Sequence, residues 1–559
     1  MNRTLDLSDG SDIEVDSDAD DVNLLGTNLE DVDRDRNNNE TLNDDIWLRF
    51  FDDDQDYQDD FEGFQNDWVT EMFSPRLPNG YTKRGGPAEL HPEEARPAHY
   101  FDLLWGQDFW DILVEETNRY ADQQRAENPP SRFAPKWTPV DKPTMKAFVG
   151  LTFVMGILRL PARNDFWRTS KRMFTTSFNS IMPRDRFNLI WHYLHLTDNQ
   201  QPQETPDKLR KIRPMMTYLN DKFMNAYTPY GNVTVDESMV KFKGRLGFRQ
   251  YLPSKPIKWG IKLWALAEST TGYLHRFQIY TGREEGVQGK GLSHRVVHEL
   301  TNHLRFSNVR VFMDNFYSSP DLFTSLLNVG IYACGTVRSN RKGLPPQLLP
   351  KIVKLPKHEF KVAQKDDVMA CCWQDTKPVM VLSSFHDPDA VGTVNRRSGN
   401  SQQQRVRVPK AIEDYQRHMK GVDLFDQMVG YYMPNHRSRK WWRRLFHHMQ
   451  MSAAHNAYII ARDSNPEVIQ REWPQFQDFV EDLAEDLIGN YKASRAAPLT
   501  NIENLPPVPR EQHEIKSKLF EKKKSCMECR SRAAVGVRVR ATQSGCSTCN
   551  QCSKFAVAR

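Results

Sequence analysis

Aspartates recur in this 559-residue chain on segments that should bring them together. The run VTVDESM carries Asp236, and NVRVFMD closes on Asp314. GVDLFDQ supplies Asp423 and Asp426, three residues apart and therefore on one face of a helix. Carboxylates held a few ångströms apart repel unless a cation sits between them, and Mg2+, a hard ion that takes oxygen ligands, suits that place. Two such ions about 3.5–4 Å apart activate a nucleophile and stabilise the leaving oxygen in phosphoryl transfer. A single Asp at a strand end reads as a cap or turn residue; two on strands expected side by side read as a site.

A second chemistry is concentrated at the other end. Five of the eight cysteines, Cys526, Cys529, Cys546, Cys549 and Cys552, fall in the last 34 residues as CMEC, sixteen residues, then CSTCNQC. Paired thiolates on tight turns complete one tetrahedral zinc site, and the spacing suits metal binding in a reducing compartment better than disulfides. Cys334, Cys371 and Cys372 read as buried thiols, and the adjacent His447 and His448 lack ligand spacing.

The elements that must position the acids follow from periodicity. Phe101, Leu104, Trp105, Phe109, Ile112 and Leu113 recur at helical spacing, and TMKAFVGLTFVMGIL repeats the pattern, so residues 97–230 read as a helical layer. From 231 the period becomes that of strands: VTVDESM, IKLWALAE and YLHRFQIYTG, the last two joined across STTG. A helix over LSHRVVHELTNHL, the strand NVRVFMD, a helix with Ser319 as N-cap, Pro320 at its first position and Gly330 as its stop, and the strand IYACGTVR complete the series. Three strands, helix, strand, helix, strand is the order of a ribonuclease H-like core, whose first and fourth strands lie side by side. The fold class is therefore α/β: a ribonuclease H-like catalytic core over 231–335 and 413–430, and a flanking helical domain over 97–230 and 431–495. Residues 336–412 are too long and structured for a connection and read as an inserted β-rich subdomain. A Pro-rich linker with the basic cluster KSKLFEKKK spans 496–525 and a small zinc module 526–559.

Charge divides the chain. Residues 1–60 hold 21 Asp/Glu against 4 Lys/Arg, about −17, so a chain of net +4 has a body of about +21. Residues 1–96 read as a disordered acidic leader, either a solvated spacer or a mimic of polyanion that competes for the body and is tuned by phosphorylation of Ser11 or Ser17. After Asp236 come Lys241, Lys243, Arg245, Arg249, Lys255, Lys258 and Lys262 among Phe248, Tyr251 and Trp259, residues suited to phosphates and to stacking on frayed bases. A second basic run, Arg437, Arg439, Lys440, Arg443 and Arg444, opens a helix that reads as facing DNA. The longest clean apolar run, Phe148 to Leu158, falls short of the roughly 20 residues of a membrane helix, and the N-terminus has no secretory h-region, so the chain reads as soluble and intracellular. KKK with its neighbours reads as a nuclear import signal.

Six ordered strings, VDESMVKFKGR, YLPSKPIKWGIKLW, MDNFYSS, CGTVRSNRKGLP, MKGVDLFDQMVGYY and NHRSRKWWRRLFHHM, closely resemble the piggyBac family of DNA transposases, over about residues 97–465 with a family-like cysteine-rich tail. The resemblance implies a nuclear cut-and-paste transposase that acts as a homodimer on the terminal inverted repeats of double-stranded DNA and inserts at TTAA. It implies a catalytic Asp triad of Asp236, Asp314 and Asp423, with Asp426 as a supporting acid. Family tails resemble a cross-brace of two zincs on about eight ligands; here the chain runs only seven residues past Cys552, without His, so one zinc is expected, on Cys526, Cys529, Cys546 and Cys549 with Cys552 spare. Two other readings stand beside this one. A domesticated DNA- or chromatin-binding protein would keep the fold and mobilise nothing, and a nuclease of RNA fits the core but not the basic tail.

Overall fold

The computed structural model describes residues 67–75, 78–127, 137–168, 178–202, 206–253, 255–282, 291–397, 403–434, 438–489 and 491, and four two-residue strands beyond residue 514. Five longer helices come first: α1 (Pro97–Trp105), α2 (Gln107–Glu127), α3 (Lys142–Leu158), α4 (Arg184–Tyr193) and α5 (Arg213–Ala226). Then follow β1 (Asn232–Lys241), β2 (Trp259–Glu268), β3 (Leu274–Ile279), α6 (Leu292–Thr301), β4 (Val309–Met313), α7 (Pro320–Leu327) and β5 (Ile331–Thr336). The next strands are β6 (Phe360–Lys365), β7 (Val368–Gln374), β8 (Pro378–Ser383), β9 (Val391–Arg397) and β10 (Gln403–Pro409). Helices α8 (Lys410–His418), α9 (Gly421–Tyr432), α10 (Trp441–Ser464), α11 (Pro466–Glu472) and α12 (Phe476–Ile488) complete this unit.

One mixed sheet of nine strands organises these elements. β1 lies at its centre, antiparallel to β2 and parallel to β4; β3 pairs β2, and β5 runs parallel beside β4. The crossovers into β4 and β5 are α6 and α7, and the latter starts as its sequence dictates: Ser319 accepts the Leu322 N–H at 3.2 Å, Pro320 occupies the first turn, and Gly330 takes φ +67° after the helix. Under α6 and α7 lie Val233, Val235, Val311, Met313 and Ala333; on the opposite face Phe312, Cys334, Cys371 and Trp373 are covered by the β9–β10 hairpin and α8. Each fully buried side chain of this size contributes roughly 1.5–3 kcal/mol. Cys334, Cys371 and Cys372 are buried free thiols.

The strands of 336–412 do not pack apart from this sheet. β8 pairs antiparallel with β5, and β7 and β6 follow, so three of the five strands of that segment extend the sheet holding the acids, because β5 would otherwise offer an open edge. The helical layer has α10 at its middle: from Trp442 to Ala461 every residue is buried, as expected of a helix surrounded by others. Its core, with Phe148 and Phe153 of α3, merges with the β2–β3 end of the sheet.

Residues 67–96, assigned above to a disordered leader, include a strap with fixed partners. Trp68 is buried and its indole N–H donates to Gly343 O at 3.0 Å, Val69 pairs with Gln364 on β6, and Asn79 N–H donates to the Tyr332 hydroxyl. A buried indole with its donor satisfied holds the segment down. No helix among the described residues is long and apolar enough to cross a membrane. Residues 493–559 form a second compact unit, where Ile515–Lys516 pairs with Gly545–Cys546 and Lys524–Ser525 with Ala541–Thr542.

Candidate metal-binding acid cluster

Strand register builds the site. β1 and β4 run parallel with Val233 opposite Val311 and Val235 opposite Met313, so the next residue on each strand, Asp236 and Asp314, emerges beside the other. The 78-residue separation in sequence disappears at that rung. Asp314 also behaves as a turn residue, its Oδ1 accepting the Phe316 N–H at 2.9 Å, so the cap and the cluster are one side chain. Glu237 joins them: Asp236, Glu237 and Asp314 each offer a carboxylate oxygen within 4.8 Å of the others. Sequence reasoning missed Glu237 because alternation sends neighbouring strand residues to opposite faces. The signal that could have found it is Lys262, placed diagonally on β2, whose Nζ lies 3.2 Å from Glu237 Oε1.

Burial sets the protonation of the cluster. It pushes Asp236 up to about 7, helped by the Glu237 charge and opposed by Lys255. Asp314 is raised by burial and then by Glu237. Burial works against the Glu237 charge too, but Lys262 and the hydrogen bonding with Asp236 outweigh it and hold Glu237 below the ordinary range. Three oxygen donors with too few positive charges among them fit a hard divalent cation.

The other two aspartates stand on α9. The helix that carries them is separate from α8, because the chain must pass over the end of β2: a Cβ on Gly421 would meet Glu268 O at 2.8 Å and Thr234 Oγ1 at 2.9 Å. From there Asp426 turns inward and accepts the Ser238 hydroxyl at 2.5 Å, tying α9 to β1; burial pushes its carboxyl up to about 7. Asp423 is 65% exposed and stands outside the three-acid group. Among the described residues, Lys255 links it to Asp236, its Nζ lying 3.0 Å from Asp236 Oδ2 and 3.9 Å from Asp423 Oδ1. Lys255, expected to contact DNA, is thus committed to the acids.

The remaining basic residues divide. Lys241, Lys243, Arg245 and Lys258 are exposed, and Arg249 folds back on its own loop, donating to Lys243 O and Gly244 O and lying over the exposed Trp259 ring at 4.6 Å. Phe248 is buried against Trp441, while Tyr251 leans on Trp259. Of the second run, Arg439 is exposed and Arg437 lies outside the described residues. Lys440, Arg443 and Arg444 are buried, which corrects the expectation that they face DNA. Arg443 donates to His192 O at 2.9 Å, and Arg444 to Lys241 O at 3.2 Å and Pro434 O at 2.8 Å, because carbonyls at element ends need donors. His447 and His448 are likewise buried. Cys526, Cys529, Cys549 and Cys552 lie outside the described residues, and Cys546 is described only as part of a two-residue strand.

The transposase IS4 family profile matches residues 96–458. Human PiggyBac transposable element-derived protein 2 is 27% identical over 384 residues, 67% of this chain and 63% of that protein. Human PiggyBac transposable element-derived protein 3 is 28% identical over 357 residues, 62% of this chain and 58% of that protein. The match thus spans about three fifths of the length of those two relatives. A cryo-EM structure of a piggyBac transposase synaptic complex with hairpin DNA superposes with a TM-score of 0.65 at 22% identity, covering 84% of this chain and 97% of that one, a likeness of fold.

Proposed function

From the premise that this chain belongs to the piggyBac family of transposases, we propose that it is a cut-and-paste DNA transposase, cleaving and joining strands at TTAA with Mg2+ held by acids on β1 and just past the end of β4. The observation that carries the reading is the rung that sets Asp236 beside Asp314, with Glu237 completing an oxygen cluster. The strand order β3–β2–β1–β4–β5, with β1, β4 and β5 parallel, supports a ribonuclease H-like core. When bound there, Mg2+ supplies charge that lowers the cost of attack on a phosphodiester. The chain's own residues do the rest. Asp236, Glu237 and Asp314 converge their oxygens, Asp423 is the further ligand in reach of the same place, and Asp426 positions α9 through Ser238. Lys241, Lys243, Arg245, Lys258 and Arg439 offer charges to phosphates, and Trp259 a face to an unpaired base.

On this reading the substrate is double-stranded DNA carrying terminal inverted repeats, the working form is a homodimer, and the place of action is the nucleus. The cysteine-rich tail holds one zinc on Cys526, Cys529, Cys546 and Cys549. Metal analysis of the purified chain checks that count, and two zincs or none would overturn it. The main test is substitution of Asp236, Asp314 or Asp423 by Asn, one at a time. Each should abolish Mg2+-dependent cleavage of repeat-end DNA and leave end binding within a few-fold, because removing a ligand removes chemistry and leaves the phosphate-binding cations in place. Cleavage by Asp314→Asn at the wild-type rate would remove the site from the mechanism. The position of Asp423 outside the cluster favours a second reading, a DNA-binding protein that no longer mobilises DNA, and end binding without cleavage by the unsubstituted protein would select it.

A further inference from the structure

Resting on the metal-site reading above, we propose that Lys255 is a resident counter-cation, which occupies the acid cluster until a divalent ion loads and is expelled when it does. Asp236 has two carboxylate oxygens. Oδ1 accepts the Glu237 N–H at 2.8 Å, and Oδ2 accepts the Lys255 ammonium at 3.0 Å, so a cation already sits on the carboxylate that an ion would use. The same ammonium is the cationic link to Asp423, at 3.9 Å, so it stands between the strand-borne and helix-borne parts of the expected ligand set. Its side chain is 22% exposed, mostly withdrawn from water. An ammonium and a divalent ion sharing one oxygen would repel strongly at that separation and burial, so the two occupy the place in turn.

The two lysines of the cluster differ in their freedom to leave. Lys262 sits within β2, paired opposite Met239, and meets Glu237 from inside the sheet with both side chains nearly buried. Lys255 stands in a tight connection closed at its base by Leu252 N–H donating to Lys258 O at 2.9 Å. Its flexible four-carbon stem can swing the ammonium toward solvent with the backbone fixed. Outside, it would join the exposed Lys258 and Lys241 as a phosphate ligand. Ion loading and DNA affinity are then linked through one side chain, and by reciprocity each raises the other by the same factor.

The test uses the full-length chain without substitution. Brief acetylation with an amine-reactive ester, read by mass spectrometry with EDTA and again with saturating Mn2+, should raise modification of Lys255 several-fold while Lys258 and Lys262 stay constant. A second measurement titrates Mn2+ calorimetrically without DNA: Lys255→Met, which keeps the stem and loses the charge, should bind about tenfold more tightly, and Lys255→Arg like the parent. Unchanged labelling of Lys255 in a protein that binds Mn2+, with binding abolished in Asp314→Asn, would overturn the displacement and leave the metal site standing. Failure of the unsubstituted chain to bind Mn2+ at all would overturn both.

Discussion

Two stretches of this chain look alike on paper. KFKGRLGFRQYLPSKPIK, residues 241–258, and RSRKWWRRLFHHM, residues 437–449, both mix cations with aromatics, and composition alone assigns both to nucleic acid. In the fold they have opposite fates. The first runs from the last residue of β1 through the connection to β2, including the short edge strand Gln250–Tyr251, with Lys241, Lys243, Arg245 and Lys258 exposed and Lys255 on the acid cluster. The second enters a helix enclosed by others, where Arg443 and Arg444 serve as internal donors to the carbonyls of His192, Lys241 and Pro434. Composition does not separate the two, because a cation enclosed by other elements is held by internal carbonyl acceptors and a similar cation on a loop stays in solvent.

The hardest blow to this contrast comes from Arg444→Met. It leaves two carbonyls without their donor, at about 1–3 kcal/mol each, so urea unfolding should show a loss of roughly 2–6 kcal/mol. Wild-type stability together with collapsed DNA affinity would mean that the arginine faces DNA after all. A second test contrasts Asp423 with Asp426, three residues apart. Asp426 is raised by burial to about 7, so the folded chain binds a proton that the unfolded chain releases near 4. Its contribution to stability is present below pH 4 and declines as pH rises through 7. In chelator, Asp426→Asn should therefore flatten the fall in melting temperature between pH 4 and 7; an unaltered slope would show the carboxyl to be solvated.

For the exposed loop, replacing Lys241, Lys243 and Arg245 by Gln should leave stability within about 0.5 kcal/mol. The slope of log affinity for duplex DNA against log salt should shrink by about 0.9 for each phosphate that is no longer neutralised. A full slope would leave this loop with no part in binding. The smallest effect is expected from deleting residues 1–60. A leader of about −17 should weaken non-specific binding to DNA, so its removal should tighten binding at low ionic strength, with the gain vanishing near roughly 0.5 M salt as screening sets in. No change at low salt would reduce the leader to a spacer.

What the sequence disclosed and what it hid have separate causes. The strand that carries Asp236, the strand that closes just before Asp314, and the cap, proline and glycine around α7 are local signals, legible in the spacing. Glu237 and Lys255 were hidden because their roles depend on which residues meet across strands: a diagonal to Lys262 in one case, a reach across to Asp236 in the other. The break before α9 depends on Gly421 lying against Glu268 O, an approach between residues 153 positions apart that no periodicity encodes. The fate of Arg443 and Arg444 likewise depended on whether other helices surround α10.

The strap at Trp68 and Val69 bears on how this protein can be trimmed. The family profile match begins at residue 96, which makes a cut there look safe. Such a cut would remove Val69 from the outer side of β6, the strand at one end of the sheet, and empty the place of a buried indole beside Gly343. A bare outer strand with an apolar hollow next to it invites a neighbour's backbone to dock, so the shortened protein should clump on concentration while one beginning before residue 67 stays dispersed.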